Sequence, residues 1–442
     1  VLLILLAACT RSPPPPDTLL VVLDTVRADH LSAYGHARTQ PAFDTLAGMG
    51  MVYDNAHASS WTWPSHASLF TGEPAWVHGA HFTTGDGVPL NAGEFSASPM
   101  DPALPTLAER YSAAGYRTVA LSGNHLLVPE LGLTRGFETV EVFDDDAKTL
   151  ARAQELLAEP DERPLFLFVN LYSAHSPWFI NEWTVDRRGP LMDAGWAEGS
   201  VLEDGGLLHP QRRPTPGDPT LAERYVSGTL EIPPEGKQLI ADLYDGEVLR
   251  ADLHLGGLLE AWGTRGGVIA VTSDHGEYLG ERGLMMHCRT LYPEVTHIPL
   301  VLVAPGVAPG RSDALMTLDD LHHTLLSLAG IAPGPAPRTE IKLAAWQERY
   351  WGERIGGRFD QGYRLLRQSD WLAIAGTERG VELYDLAADP ALNTDVSALH
   401  PDRAQAMREQ LVNEIPMPDG ATVAPLDPAL LQHLEQMGYL ER

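Results

Sequence analysis

Thr62 lies in the segment Trp61-Thr62-Trp63-Pro64-Ser65-His66-Ala67-Ser68-Leu69-Phe70-Thr71-Gly72, and two distant acids, Asp24 and Asp274, each follow a short apolar run. A hydroxyl beside carboxylates and imidazoles is the equipment for metal-assisted nucleophilic attack on an ester. Capping or turn formation accounts for either acid alone. Two acids, with His275 next to the second and a hydroxyl-bearing segment between them in the chain, point instead to one hydrolytic site.

The elements that must position these groups follow from the apolar runs. Leu19–Leu23 and Val268–Thr272 are continuous hydrophobic stretches, as expected of strands buried on both faces of a parallel sheet. Ligands of open α/β sheets gather beyond the carboxyl ends of the strands, which is where both acids would be delivered. Apolar strands alternate with helical stretches such as Pro105–Tyr111 and Tyr244–Trp262, so residues 18–335 are expected to fold as one α/β domain. Phe179–Pro234 has no clear period and is expected to be an irregular insertion near the site mouth, and Gly/Pro-rich Ile331–Arg338 a linker to a C-terminal subdomain, 336–442. The acids of Phe143–Asp146 suit a helix start.

With 31 basic and 59 acidic residues the formal charge is −28, which excludes nucleic acid as a partner because that requires a basic footprint. An anionic substrate then needs positive character concentrated locally, by a metal ion and histidines. Neither a Gly-x-Ser-x-Gly elbow nor a Gly-rich phosphate loop is present, which leaves serine-hydrolase and nucleotide chemistry unsupported. At the N-terminus, Leu6-Ala7-Ala8-Cys9 resembles the lipobox of bacterial lipoproteins, and Arg11–Asp17 reads as a Pro-rich tether. Residues 1–9 are therefore expected to be signal-like, 10–17 a tether, and the protein lipid-anchored at the bacterial cell envelope.

Three blocks, Asp24–Gly35, Thr62–Gly72 and Thr272–Gly283, resemble signature blocks of the sulfatase family within the alkaline phosphatase superfamily. Further similarity runs in the family's order through Thr106–Thr118, Pro164–Trp178, Glu382–Pro390 and Met437–Leu440. The resemblance implies a mixed, mostly parallel sheet sandwiched by helices, with a small C-terminal α+β subdomain. It also implies an ester hydrolase acting on a sulfated or phosphorylated small molecule or glycan.

The chain departs from the family pattern where the chemistry starts. Thr62 stands where the family carries the Cys or Ser that becomes formylglycine, and His66 replaces an Arg. A Thr ester cannot expel sulfate by breaking its own C–O bond, so water or an acceptor alcohol must attack sulfur or phosphorus directly. This exit step is expected to favour phosphate over matched sulfate esters. In the metal set, the resemblance implies Asp24, Asp274, His275 and the Thr62 oxygen around one divalent ion. An imidazole with few carboxylates favours manganese or zinc, with calcium or magnesium accommodated if water fills the shell. His66, His175 and His287 are expected to stabilise charge and assist the leaving group. Alternatives from other classes are a phosphoglycerol- or phosphoethanolamine-type transferase on envelope glycans, and an inactive glycan binder. His30, His57 and His297 are read as ordinary surface or hydrogen-bonded core residues.

Overall fold

A computed structural model describes residues 15–83, 88–90, 95–187, 191, 194–201, 207–212, 218–288, 290–345, 355, 362–377 and 380–416. Cys9, most of the expected tether and Met437–Leu440 lie outside the described residues. Pro16 and Asp17, expected at the end of the tether, are instead tied to the body. The Pro16 carbonyl accepts from Tyr116 Oη at 3.1 Å, and Asp17 accepts the Leu165 N–H at 2.8 Å and pairs with Arg265 at 3.1 Å.

The central sheet has nine strands: β1 (Thr18–Leu23), β2 (Met51–His57), β3 (Arg117–Ser122), β4 (Thr139–Val142), β5 (Leu165–Leu171), β6 (Val268–Thr272), β7 (His297–Ile298), β8 (Leu300–Val303) and β9 (Gly310–Thr317). Their order is β7-β2-β8-β6-β1-β5-β3-β4, with β9 beside β2. β1 pairs in parallel with both β5 and β6, in registers Val22↔Asn170 and Val22↔Thr272, so three strand ends finish level. β8 runs antiparallel to β6, which makes the sheet mixed.

Alternation along β1 explains why its sequence is apolar throughout. Leu19, Val21 and Leu23 face a core built with α1 (Pro41–Met49), and Leu20 and Val22 face one built with α2 (Thr62–Thr71) and α3 (Leu107–Ala113). α4 (Asp146–Ala158) and α5 (Pro234–Trp262) complete the first layer, and α6 (Leu318–Leu328) the second. Both strand faces are thus removed from water, which only hydrophobic side chains tolerate. α4 begins as expected, with the Asp145 carboxylate capping the Ala147 N–H. α5 starts ten residues before the expected Tyr244, because Pro234 occupies the first helical position, where its missing N–H costs nothing. Within Phe179–Pro234 the described residues form short turns, a two-residue ladder and the helix Leu221–Val226.

Beyond α6, residues 332–339 carry neither helix nor strand. A separate antiparallel sheet follows, β10 (Glu340–Ala345), β11 (Tyr363–Gln368), β12 (Trp371–Gly376) and β13 (Val381–Asp385), covered by α7 (Pro401–Glu414). Leu366, Ala373 and Leu383 pack against Met407 and Leu411 to make its core.

Candidate active site

The level ends of β1, β5 and β6 deliver Asp24, Asn170 and Asp274 to one place, and α2 starts opposite them with Thr62 as its first residue. The helix opens at Thr62 with Pro64 inside its first turn, where proline is tolerated because those N–H groups have no intrahelical acceptor. The Thr62 hydroxyl consequently sits at a helix N-terminus, where the backbone dipole favours negative charge on oxygen.

Asp24 and Asp274 are fully buried. Asp24 Oδ2 accepts from Asn124 Nδ2 at 2.7 Å and Asn170 Nδ2 at 3.3 Å. Asp274 Oδ1 accepts the backbone N–H groups of His275 at 2.9 Å and Thr25 at 3.2 Å. The remaining oxygens, Asp24 Oδ1 and Asp274 Oδ2, have no hydrogen-bond partner among the described residues. Burial pushes the Asp274 carboxyl up to about 7, and burial followed by the charge of Asp274 pushes Asp24 well above the carboxylate range. Two desolvated acids, each with one oxygen bonded and one bare, form an oxygen-lined pocket whose ionised state a divalent cation would stabilise. The donor set fits such an ion, and His275 completes it with Asp24 and Asp274 as a group of mutually close ligand atoms.

His275 is held in one tautomer. Its Nδ1 lies 2.8 Å from the Gly276 carbonyl and donates to it, which leaves the Nε2 lone pair free. Thr62 Oγ1 is 3.3 Å from that Nε2. Burial, then the nearby His287, lowers the His275 pKa to about 4, so the ring is neutral near pH 7 and suited to ligation or proton acceptance. The separation also matches two ligands sharing one ion, for which bonds of ~2.1 Å place neighbouring donors roughly 3.0–3.5 Å apart.

The other expected histidines take up different places. His66 is fully buried, its Nδ1 donating to the Thr62 carbonyl at 3.0 Å and lying 3.6 Å from Asp274 Oδ2, with Phe70 and Phe168 against its ring. Burial lowers its pKa to about 3, so it stands as a neutral ring beside Asp274. His287 is nearly buried, with its ring centroid 4.4 Å from that of His275 and 5.3 Å from that of His175. His175 stacks on Tyr172 at 4.5 Å and donates from Nδ1 to the Ser176 carbonyl at 2.7 Å.

Several residues of the site escape a reading of the sequence. Glu277, fully buried, accepts from His287 Nδ1 at 3.1 Å and fixes its tautomer. It lies inside the Thr272–Gly283 block, but its partner is identifiable only in the fold. Asn170 was signalled by a lone amide ending an otherwise apolar strand. Thr25 is held at φ 60, a left-handed conformation costly for a β-branched residue, with its N–H committed to Asp274 and its carbonyl accepting from Tyr244 Oη at 2.7 Å.

Gly276 explains the tight turn after His275. A Cβ there would lie 2.1 Å from the Glu294 carbonyl and 2.9 Å from Arg27 Cγ. Gly276→Ala is expected to cost about 3 kcal/mol or more and to displace His275, as measured by denaturant unfolding together with activity. A variant with parental stability would contradict this packing.

A family model described as Sulfatase matches residues 16–331. The chain is 24% identical over 420 residues to Delta 4,5-hexuronate-2-O-sulfatase of Bacteroides thetaiotaomicron, covering 83% of this chain and 82% of that protein. Its fold resembles a 2-O GAG sulfatase with TM-score 0.66 at 18% identity, covering 90% and 92% of the two chains. It also resembles the phosphonate monoester hydrolase of Agrobacterium radiobacter with TM-score 0.65 at 19% identity, covering 90% and 95%.

Proposed function

This chain belongs to the sulfatase family, and we propose that it hydrolyses a sulfate ester of a saccharide, with Thr62 as a covalent nucleophile. The observation that carries this reading is the approach of Thr62 Oγ1 to His275 Nε2, 3.3 Å, at the head of a helix facing two buried acids. Sulfated saccharides are favoured because the relatives include a hexuronate-2-O-sulfatase and a 2-O GAG sulfatase.

Asp24, Asp274, His275 and Thr62 would hold one divalent ion, manganese or zinc in preference to calcium or magnesium. When bound, the ion lowers the pKa of the Thr62 hydroxyl and neutralises charge on a non-bridging oxygen of the ester. Thr62 gives up its hydroxyl proton as Oγ attacks sulfur, one S–O bond forms as the S–O bond to the alcohol breaks, and the departing alkoxide takes up a proton, so that no net proton is consumed. His287, oriented through Nδ1 by Glu277 and with His175 beside it, is the imidazole proposed to assist that oxygen. Water then attacks sulfur in the Thr62 ester, releasing sulfate and restoring the hydroxyl. Asn124 and Asn170 orient Asp24 throughout. Glu277→Gln is expected to lower kcat about 10- to 100-fold with KM little changed, since the ring exchanges a charged acceptor, which supports a proton on it, for a neutral amide. Steady-state kinetics check this, and an unchanged kcat would remove His287 from the reaction.

A phosphate or phosphonate monoester is the second reading, favoured by Thr62 itself, because a Thr ester must be relieved by attack at the central atom. Matched aryl sulfate, phosphate and phosphonate esters, together with 2-O-sulfated uronides and an alcohol acceptor, separate the possibilities. Highest kcat/KM on a sulfate supports the first reading, and highest kcat/KM on a phosphoryl ester supports the second. Turnover only with the acceptor would make the protein a transferase, and binding without turnover would overturn both hydrolytic readings.

A further inference from the structure

After β1 the chain makes two short turns, Ala28–His30 and Ser32–Tyr34, and then reverses at Gly35, where φ is 100. The reversal lays the His36 ring on the His30 ring, with centroids 5.2 Å apart and planes at 26°. Asp245 reaches the pair from the middle of α5 and is 2% exposed. Its Oδ1 lies 2.6 Å from His30 Nδ1, and its Oδ2 lies 3.6 Å from His36 Nε2. Arg38 pairs with Asp245 and also with Asp242, which Arg187 engages from the insertion.

His36 is the unexplained member. Its Nδ1 is buried with no hydrogen-bond partner among the described residues, and its Nε2 stands too far from Asp245 for a hydrogen bond. Polar groups withdrawn from water are ordinarily paired, and an imidazole aimed at a carboxylate without bonding it leaves a lone pair to spend. Burial lowers the basicity of His36, which favours the neutral ring that ligation requires.

We propose that His30, His36 and Asp245 form a second metal site, selective for zinc or a similar transition ion and separate from the acids Asp24 and Asp274. The three donor atoms lie within 4.8 Å of one another. Two imidazoles and one carboxylate suit zinc, with a further position open to water, whereas calcium and magnesium require more oxygen ligands. Binding needs His30 and Asp245 to part from hydrogen-bond distance to the roughly 3.0–3.5 Å between neighbouring zinc ligands. Arg38 holds the carboxylate from outside, as outer partners of metal ligands do, and its positive charge keeps the affinity moderate. The ion would clamp residues 28–36 to α5. Tyr244, adjacent to Asp245, lies edge-on to His30 at 5.0 Å and hydrogen-bonds the Thr25 carbonyl and the Arg27 N–H, so the clamp reaches the floor of the active site.

The test uses tag-free, chelator-stripped protein with Asp24→Asn and Asp274→Asn, in which the active-site acids are neutral, and the same protein with His36→Gln added. Each is titrated with zinc and, separately, with cobalt. The first protein is expected to take up one zinc per chain with a rise in Tm and to give the visible absorption of protein-ligated cobalt. His36→Gln is expected to abolish all three while leaving the metal-free Tm unchanged. No zinc uptake by the first protein, or uptake and a cobalt spectrum that survive His36→Gln, would overturn the proposal and leave His30 and Asp245 a structural hydrogen-bonded pair. Because no turnover is measured, the result is independent of the esterase reading.

Discussion

Thr62→Ala is expected to lower kcat/KM for the best ester substrate by at least ~10⁴-fold, the scale on which loss of a nucleophile acts in covalent catalysis. The effect should reside in kcat, because Thr62 contributes one buried hydroxyl, set against His275 and Asp274. Alanine keeps the helical backbone at the start of α2, and Tm should move by no more than a few degrees. Thr62→Ser retains an attacking oxygen and should keep measurable turnover, at a cost set by the freer rotation of serine about χ1. Steady-state kinetics on the three proteins check the series. Activity in Thr62→Ala within tenfold of the parent would remove Thr62 from the chemistry.

Asp274→Ala is expected to lose one equivalent of divalent ion and to reduce turnover by about 10³-fold or more, since the reacting centre loses an anionic ligand and the charge compensation that the ion supplies. Asp274→Asn sharpens the interpretation. In metal-free protein the two buried carboxylates disfavour one another's ionisation, and the amide preserves an acceptor for the Thr25 and His275 N–H groups without the charge. In chelator, Asp274→Asn should therefore melt at or above the parent, and with metal restored it should melt below it. Metal content by elemental analysis and Tm with and without chelator check the pair. Unchanged metal content in both variants would place the ion elsewhere.

Much of this site was visible in the residues because the strands carrying it are buried on both faces. Leu19–Leu23 and Val268–Thr272 had to be central, and the acids following them had to share the crevice beyond the strand ends. Asp24, Thr62, Asp274 and His275 accordingly converge. What the sequence concealed depends on partners far apart in the chain. That Asn170 shares the Asp24 carboxylate with Asn124 follows from the parallel register of β1 and β5. Glu277 reads as one more acid until His287 folds back onto it. His66, at helical spacing from Thr62, reads as a residue of the reacting face, but that its Nδ1 is committed to the Thr62 carbonyl and its ring packed on phenylalanine beside Asp274 follows only from the fold. His30 was read as ordinary for the same reason, since Asp245 lies 215 residues away and only the packing of α5 on the loop after β1 joins them.

The central claim is that an ester forms on Thr62 and is broken by water at sulfur or phosphorus. Its most direct measurement is a rapid acid quench during turnover of an activated aryl ester, followed by peptide mapping by mass spectrometry. The account predicts a sulfuryl or phosphoryl group on the peptide carrying Thr62, appearing with the burst of released alcohol and absent from Thr62→Ala. A burst with the group on another residue, or turnover at parental rate with no adduct in Thr62→Ala, would contradict it.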